Sequence, residues 1–120
     1  EWFKLYGNTR GVLGIHLEGP FLSKEKRGIH PEEYIIQPTD EMLAKIVPYA
    51  KLFPIKMTMA AENVKPEQIE FLAKHDIIVS IGHSNASYEV AENAFKHGAK
   101  TVTHMFNAMS GMTGRNPGLI

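Results

Sequence analysis

Residues 77–104 read IIVSIGHSNASYEVAENAFKHGAKTVTH, and this stretch decides the fold class. It opens on IIVSI, a run of strand length rich in branched side chains, and closes on a second such run, TVTH at 101–104. Between them Val90, Ala91, Ala94 and Phe95 recur at helical spacing. Ser87 is placed as an N-cap, and Gly98 stands just past the last turn. A strand, a helix and a second strand joined by short turns form a crossover unit, which makes the two strands parallel.

The same rhythm extends upstream. Apolar runs at 12–17 and 55–59 have strand length. Met42, Leu43, Ile46, Val47 and Ala50 form one helical face, which Pro48 is expected to kink or shorten. Pro66 suits a first helical turn, with Ile69, Leu72 and Ala73 following at helical spacing. The order is β-α-β-α-β-α-β. Strand starts near 55, 77 and 100 recur every 22 to 23 residues, so the class is α/β with a parallel sheet. Residues 19–38 carry no period, and a loop of about 20 residues in a compact domain is often functional. About four βα units do not close a (β/α)₈ barrel. The first residue is Glu1, and residues 111–120 form a Gly- and Pro-containing loop. Residues 1–120 are therefore expected to be an internal section of a barrel domain in a longer enzyme. A stand-alone doubly wound domain is the alternative.

Composition narrows the function classes. The 120 residues hold 13 Lys plus Arg and 13 Asp plus Glu, for a net charge of zero. That balance excludes a strongly basic nucleic-acid binder. A hydrophobic fraction of 43% is enough for a packed core and argues against disorder. The absence of cysteine removes disulfide frameworks, thiolate metal sites and cysteine nucleophiles. No apolar run approaches the roughly 18 residues of a membrane span. Glu1-Trp2-Phe3-Lys4 does not open a signal peptide. Chemistry is left to six histidines, the carboxylates and the hydroxyls.

In parallel α/β folds reactive groups collect at the carboxyl ends of strands. Glu18, His83 and His104 fall at three such ends. Strand alternation sends Leu13, Ile15 and Leu17 toward the helices, and Gly14, His16 and Glu18 toward the barrel interior. Two histidines and a carboxylate suit a divalent metal such as zinc, and three protein ligands leave a position open for water. The bland reading of each histidine is a hydrogen-bonded packing residue. His16 reads as an interior polar residue held by its neighbours, with a place beside the ligands as the alternative. His75 and His97 fall near helix C-termini and read as surface residues. Met57 and Met59, and Met105, Met109 and Met112, read as packing. Arg115, in a Gly-flanked loop, is either an anion clamp or a solvated side chain. His30, before Pro31 in the long first loop, either reaches a substrate or shapes a turn. No phosphate-cradling GxGxxG or Walker loop is present, and no Ser-His-Asp order.

Three segments together resemble the N-acetylglucosamine-6-phosphate deacetylases of the amidohydrolase superfamily. They are His16-Leu17-Glu18-Gly19-Pro20-Phe21-Leu22 with Gly28-Ile29-His30; Gly82-His83-Ser84-Asn85-Ala86; and Thr103-His104-Met105-Phe106-Asn107-Ala108-Met109 with Thr113-Gly114-Arg115-Asn116-Pro117-Gly118. Their order and spacing agree with the family over most of the chain, and over about the central third of such an enzyme. The resemblance implies a distorted (β/α)₈ barrel in a cytoplasmic homodimer. The implied reaction is metal-dependent hydrolysis of the acetamide of N-acetylglucosamine 6-phosphate to glucosamine 6-phosphate and acetate. By position it makes Glu18, His83 and His104 the metal ligands, with Zn²⁺ as the expected ion. It sets Ile29, His30, Asn107 and Ala108 against the sugar phosphate, and Arg115 on the phosphate, either of its own or of a neighbouring subunit. The family's general acid/base aspartate has no counterpart among these residues. Its upstream second metal site and a downstream substrate histidine also have none. The chain alone is therefore expected to be inactive. Two alternatives stand beside this reading. One is another metal-dependent amidohydrolase acting on a different N-acyl or cyclic amide. The other is a non-catalytic αβ module that binds a partner through open sheet edges.

Overall fold

A computed structural model of the chain describes residues 11–120. The opening Glu1 to Lys4, weighed above as a signal sequence, lies outside the described residues. Four strands, β1 (Ile15–Glu18), β2 (Ile55–Met59), β3 (Ile77–Ile81) and β4 (Thr101–Val102), form one parallel sheet in the order β1-β2-β3-β4. Four helices lie between them: α1 (Asp40–Ala44), α2 (Val47–Ala50), α3 (Pro66–Lys74) and α4 (Tyr88–Lys96).

Register separates the two faces of the sheet. Leu17, Met57 and Val79 align across three strands, as do Ile55 and Ile77, and this face is apolar. Leu43, Ile69, Leu72 and Ala94 of the helices pack into the same core. On the other face Glu18, Thr58, Ser80 and Thr101 align, and no helix covers them among the described residues. Parallel strands in chain order with helices on one side form the wall of a barrel. A doubly wound sheet would reverse its strand order and carry helices on both faces. The chain is therefore a partial (β/α)₈ barrel of about four units rather than a doubly wound domain.

Local signals account for most boundaries. Pro66 begins α3, where its missing N–H costs nothing. The Ser87 side chain caps α4 by accepting from the Val90 N–H, and Gly98 follows at a φ of 114°. Pro48 splits the expected helix, and its second half restarts with proline in its first turn. Thr39 caps the first half by accepting from Met42 N–H at 3.2 Å.

Three expectations need correction. β1 starts at Ile15 rather than at 12, and Leu13 is 86% exposed instead of facing the helices. β4 ends at Val102, because His104 takes a φ of 55° that no strand allows. Met57, Met59 and Met109 are packing residues, whereas Met105 and Met112 are exposed.

Candidate metal and substrate site

Glu18 ends β1, while His83 and His104 lie just beyond β3 and β4. Both histidines have positive φ, 48° and 55°, which turns each side chain back over the sheet end. Non-glycine residues hold that conformation only where their surroundings impose it. For His83 part of the constraint is Gly82. A Cβ at Gly82 would lie 2.8 Å from Thr103 Cβ and 3.0 Å from Thr103 O, so β3 and β4 meet there with no room for a side chain.

The three side chains converge. Glu18 Oε1 lies 2.7 Å from His104 Nε2 and 3.2 Å from His83 Nε2. Ligands of a tetrahedral ion with bonds of about 2.0–2.1 Å sit about 3.3 Å apart, close to these separations. His83 Nδ1 donates to the Lys26 carbonyl at 2.9 Å, so its Nε2 presents either a proton or a lone pair to the same point. An oxygen and two ring nitrogens aimed at one point suit a divalent cation. His83 is buried, the Glu18 side chain is 32% exposed and that of His104 is 50% exposed. The cluster is therefore anchored in the wall and open toward the uncovered face.

His30 joins this group. Its Nε2 lies 3.5 Å from Glu18 Oε2, and its ring meets the His83 ring edge-on at 5.1 Å. Glu18, His30 and His83 each offer a ligand atom within 4.8 Å of the others, a set that includes His30 where the sequence pointed to His104. Gly28, at a φ of 62°, brings this loop against His83. Partial burial works against ionisation of Glu18, but hydrogen bonds and charge from His104 and His83 outweigh it. Its carboxyl is held below the usual range.

Beneath the cluster runs a chain of hydroxyls. His16 Nε2 meets Thr58 Oγ1 at 2.6 Å, Thr58 meets Thr103 at 2.7 Å, and Thr103 meets Ser80 at 2.7 Å. Burial, then Lys56, lowers the His16 pKa, with Glu18 opposing. His16 is thus held by its neighbours. No signal in the sequence pointed to the hydroxyls, because Thr and Ser are ordinary on strands.

The remaining candidates are more dispersed. Ile29 is 98% exposed at the loop tip beside His30. Asn107 is exposed, and its N–H donates to the His104 carbonyl at 2.6 Å. Ala108, at a φ of 49°, accepts the Ser84 N–H through its carbonyl at 3.2 Å. Arg115 is exposed, and no ion pair joins it to the Glu18 cluster among the described residues. His75 and His97 cap α3 and α4, their Nδ1 atoms donating to the carbonyls of Phe71 and Asn93. A cleft of about 390 Å³ beside β1 is lined by His16, Glu18, Pro20, His30 and Tyr34. A groove of about 530 Å³ between α1 and α3 holds none of the clustered side chains, so size does not mark the site.

No family model matches the chain. Over 110 residues it is 48% identical to the N-acetylglucosamine-6-phosphate deacetylase of Haemophilus influenzae, covering 91% of this chain and 29% of that protein. The chain is a relative of the N-acetylglucosamine-6-phosphate deacetylases. It spans about three-tenths of the length of the curated relatives it matches. An N-acetylgalactosamine-6-phosphate deacetylase of a Shewanella species is 42% identical over 92% of this chain and 28% of that protein. Among solved structures, the N-acetylglucosamine-6-phosphate deacetylase of Pasteurella multocida superposes with a TM-score of 0.87 at 44% identity, over 96% of this chain and 30% of that one. A mutant of the Mycobacterium smegmatis deacetylase, in complex with N-acetyl-D-glucosamine-6-phosphate, gives 0.83 at 31% identity, over 88% of this chain and 28% of that one.

Proposed function

We propose that this chain is the metal-holding section of an N-acetylglucosamine-6-phosphate deacetylase barrel. The observation that carries the reading is the meeting of Glu18 Oε1 with the Nε2 atoms of His83 and His104. In this reading those three side chains hold a divalent cation, with zinc the best match to one carboxylate and two imidazoles. When bound, such an ion supplies Lewis acidity toward an amide carbonyl and a water whose pKa falls to about 7.

The chain's own residues orient and bind. The Lys26 carbonyl fixes the His83 tautomer. His30 stands at the lip of the cleft as a donor to the sugar phosphate, with Ile29 beside it offering backbone. In this reading Asn107 and the Ala108 backbone contact the sugar phosphate, and Arg115 clamps the phosphate, where a guanidinium matches the anion's geometry. The proximity of His30 to Glu18 supports a second role, as a further ligand when the substrate is away. Cytoplasmic location and a homodimer belong to this reading. No helix among the described residues is long and apolar enough to cross a membrane.

A substrate panel tests the reading. Acetate release from N-acetylglucosamine 6-phosphate is compared with release from its galacto epimer and from unphosphorylated N-acetylglucosamine, in an enzyme carrying this section. Preference for the phosphorylated gluco sugar is expected. Preference for the epimer supports a second reading, a section of an N-acetylgalactosamine-6-phosphate deacetylase, which the 42% identical Shewanella relative favours. Equal rates without phosphate would overturn the Arg115 assignment and favour another amidohydrolase. The 120 residues alone are expected to release no acetate, since the reading leaves them without a general acid/base.

A further inference from the structure

Ser84 and Asn85, in the turn after β3, have no part in the ligand set, yet both are tied to one carboxylate. Glu62 lies in a 3₁₀ turn just after β2. The Ser84 hydroxyl, fully buried, donates to Glu62 Oε2 at 2.6 Å. Glu62 Oε1 accepts the Asn85 backbone N–H at 2.6 Å. The Asn85 side-chain amide in turn donates to Glu25. Ser84 Oγ also accepts the N–H groups of Ala61 at 3.3 Å and Ala86 at 3.2 Å. A hydroxyl has one proton and two lone pairs, so both lone pairs are engaged and the proton must go to Glu62. Backbone bonds complete the clasp. Ser23 N–H donates to the His83 carbonyl at 2.8 Å, and Ser110 N–H donates to the Ser84 carbonyl at 3.0 Å.

We propose that Glu62 is a positioning residue for the His83 imidazole, its two carboxylate oxygens locking residues 83–85 in the turn that aims Nε2 at Glu18. The proposal rests on the reading of His83 as a metal ligand. The site demands a carboxylate rather than merely a polar side chain. Glutamine has one acceptor oxygen. With that oxygen on Ser84, its NH₂ faces the Asn85 N–H, donor against donor. With the oxygen on Asn85, its NH₂ faces a hydroxyl whose lone pairs are already engaged. Removing the Ser84 hydroxyl lifts the conflict, because glutamine can then give its oxygen to Asn85.

Zinc affinity, measured by competition with a chromophoric chelator, is compared in the unmodified protein, Glu62→Gln, Ser84→Ala and the double variant. His83→Ala serves as control, and thermal melting reports the fold of each. Glu62→Gln is expected to weaken zinc binding about 10-fold, within the range for groups that orient a ligand. In the Ser84→Ala background the same change is expected to cost less than about 2-fold, since no acceptor conflict remains. If His83→Ala weakens zinc binding and Glu62→Gln does not, the positioning role is overturned and the ligand reading survives. If His83→Ala itself leaves zinc affinity unchanged, the ligand reading falls first. Equal losses for Glu62→Gln in both backgrounds would overturn the route through Ser84. Should Glu62→Gln alone fail to fold, a folded double variant supports the clasp, and an unfolded one overturns it.

Discussion

Thr58 shows how a side chain without chemistry of its own can support a site. It is fully buried on the uncovered face, and its hydroxyl joins His16 to Thr103 and so to Ser80. Thr58→Val keeps the shape and removes the link, leaving the buried Thr103 hydroxyl one partner short, while exposed His16 can turn to water. A buried polar group left unsatisfied costs about 1–3 kcal/mol, and a loss of that size is expected in urea unfolding. An unchanged midpoint would show that water replaces the hydroxyl. Gly82 is a second such position. Its substitution by alanine drives a methyl into Thr103, and overpacking of this kind costs about 1–3 kcal/mol. The same change pushes β4 and His104 away from β3, so weaker zinc binding is expected alongside lower stability. The convergence of Glu18, His83 and His104 was legible because each falls at a strand's carboxyl end or within two residues of it. The hydroxyl chain and Glu62 were not, since their importance lies in partners 22 to 45 residues away that no local pattern connects.

Helix boundaries were the clearest feature at the level of elements, because their signals are local. Ser87 announces α4, and Pro66 announces α3. Strand ends were harder. Val12 and Leu13 belong to an apolar run, but apolarity is not pairing, and the ladder with β2 starts only at Ile15. β4 was read two residues too long because nothing in the letters THMF shows a left-handed backbone at His104. The α4 cap makes a testable unit. The Ser87 hydroxyl beside Glu89, with that residue's own N–H, holds its carboxyl below the usual range. Ser87→Ala is expected to raise the Glu89 pKa toward the ordinary value in an NMR titration. It should also destabilise the fold by about 1 kcal/mol through loss of the cap. A carboxyl depressed in the folded state adds stability above its unfolded pKa and loses it as pH falls through the folded pKa. The Glu89 contribution, present at neutral pH, therefore fades in acid. An unmoved Glu89 titration in Ser87→Ala would show that the backbone N–H alone sets the shift.

A barrel wall differs from a closed barrel in having edges. Among the described residues β1 pairs only with β2, and β4 only with β3, so each leaves one row of backbone donors and acceptors unpaired. The uncovered face also presents Ile78 at 39% exposure, and the β1 edge presents Ile15 at 38%. Unpaired edges with apolar side chains template strand addition, and lysine at an edge opposes it. The isolated 120-residue chain is therefore expected to self-associate, with a sedimentation mass well above 13.4 kDa that rises with concentration. Ile15→Lys should lower that mass toward the monomer while leaving the helical signal in circular dichroism intact, because Ile15 is exposed and stands outside the packed cluster. Zinc separates this association from the site itself. Pairing along the β1 edge leaves the Glu18 side chain pointing out of the sheet plane, so zinc affinity per chain should match in Ile15→Lys and the unmodified protein. A monomeric unmodified chain would mean that its edges are already satisfied. Zinc binding lost along with association would mean that the metal is held between two copies rather than within one wall.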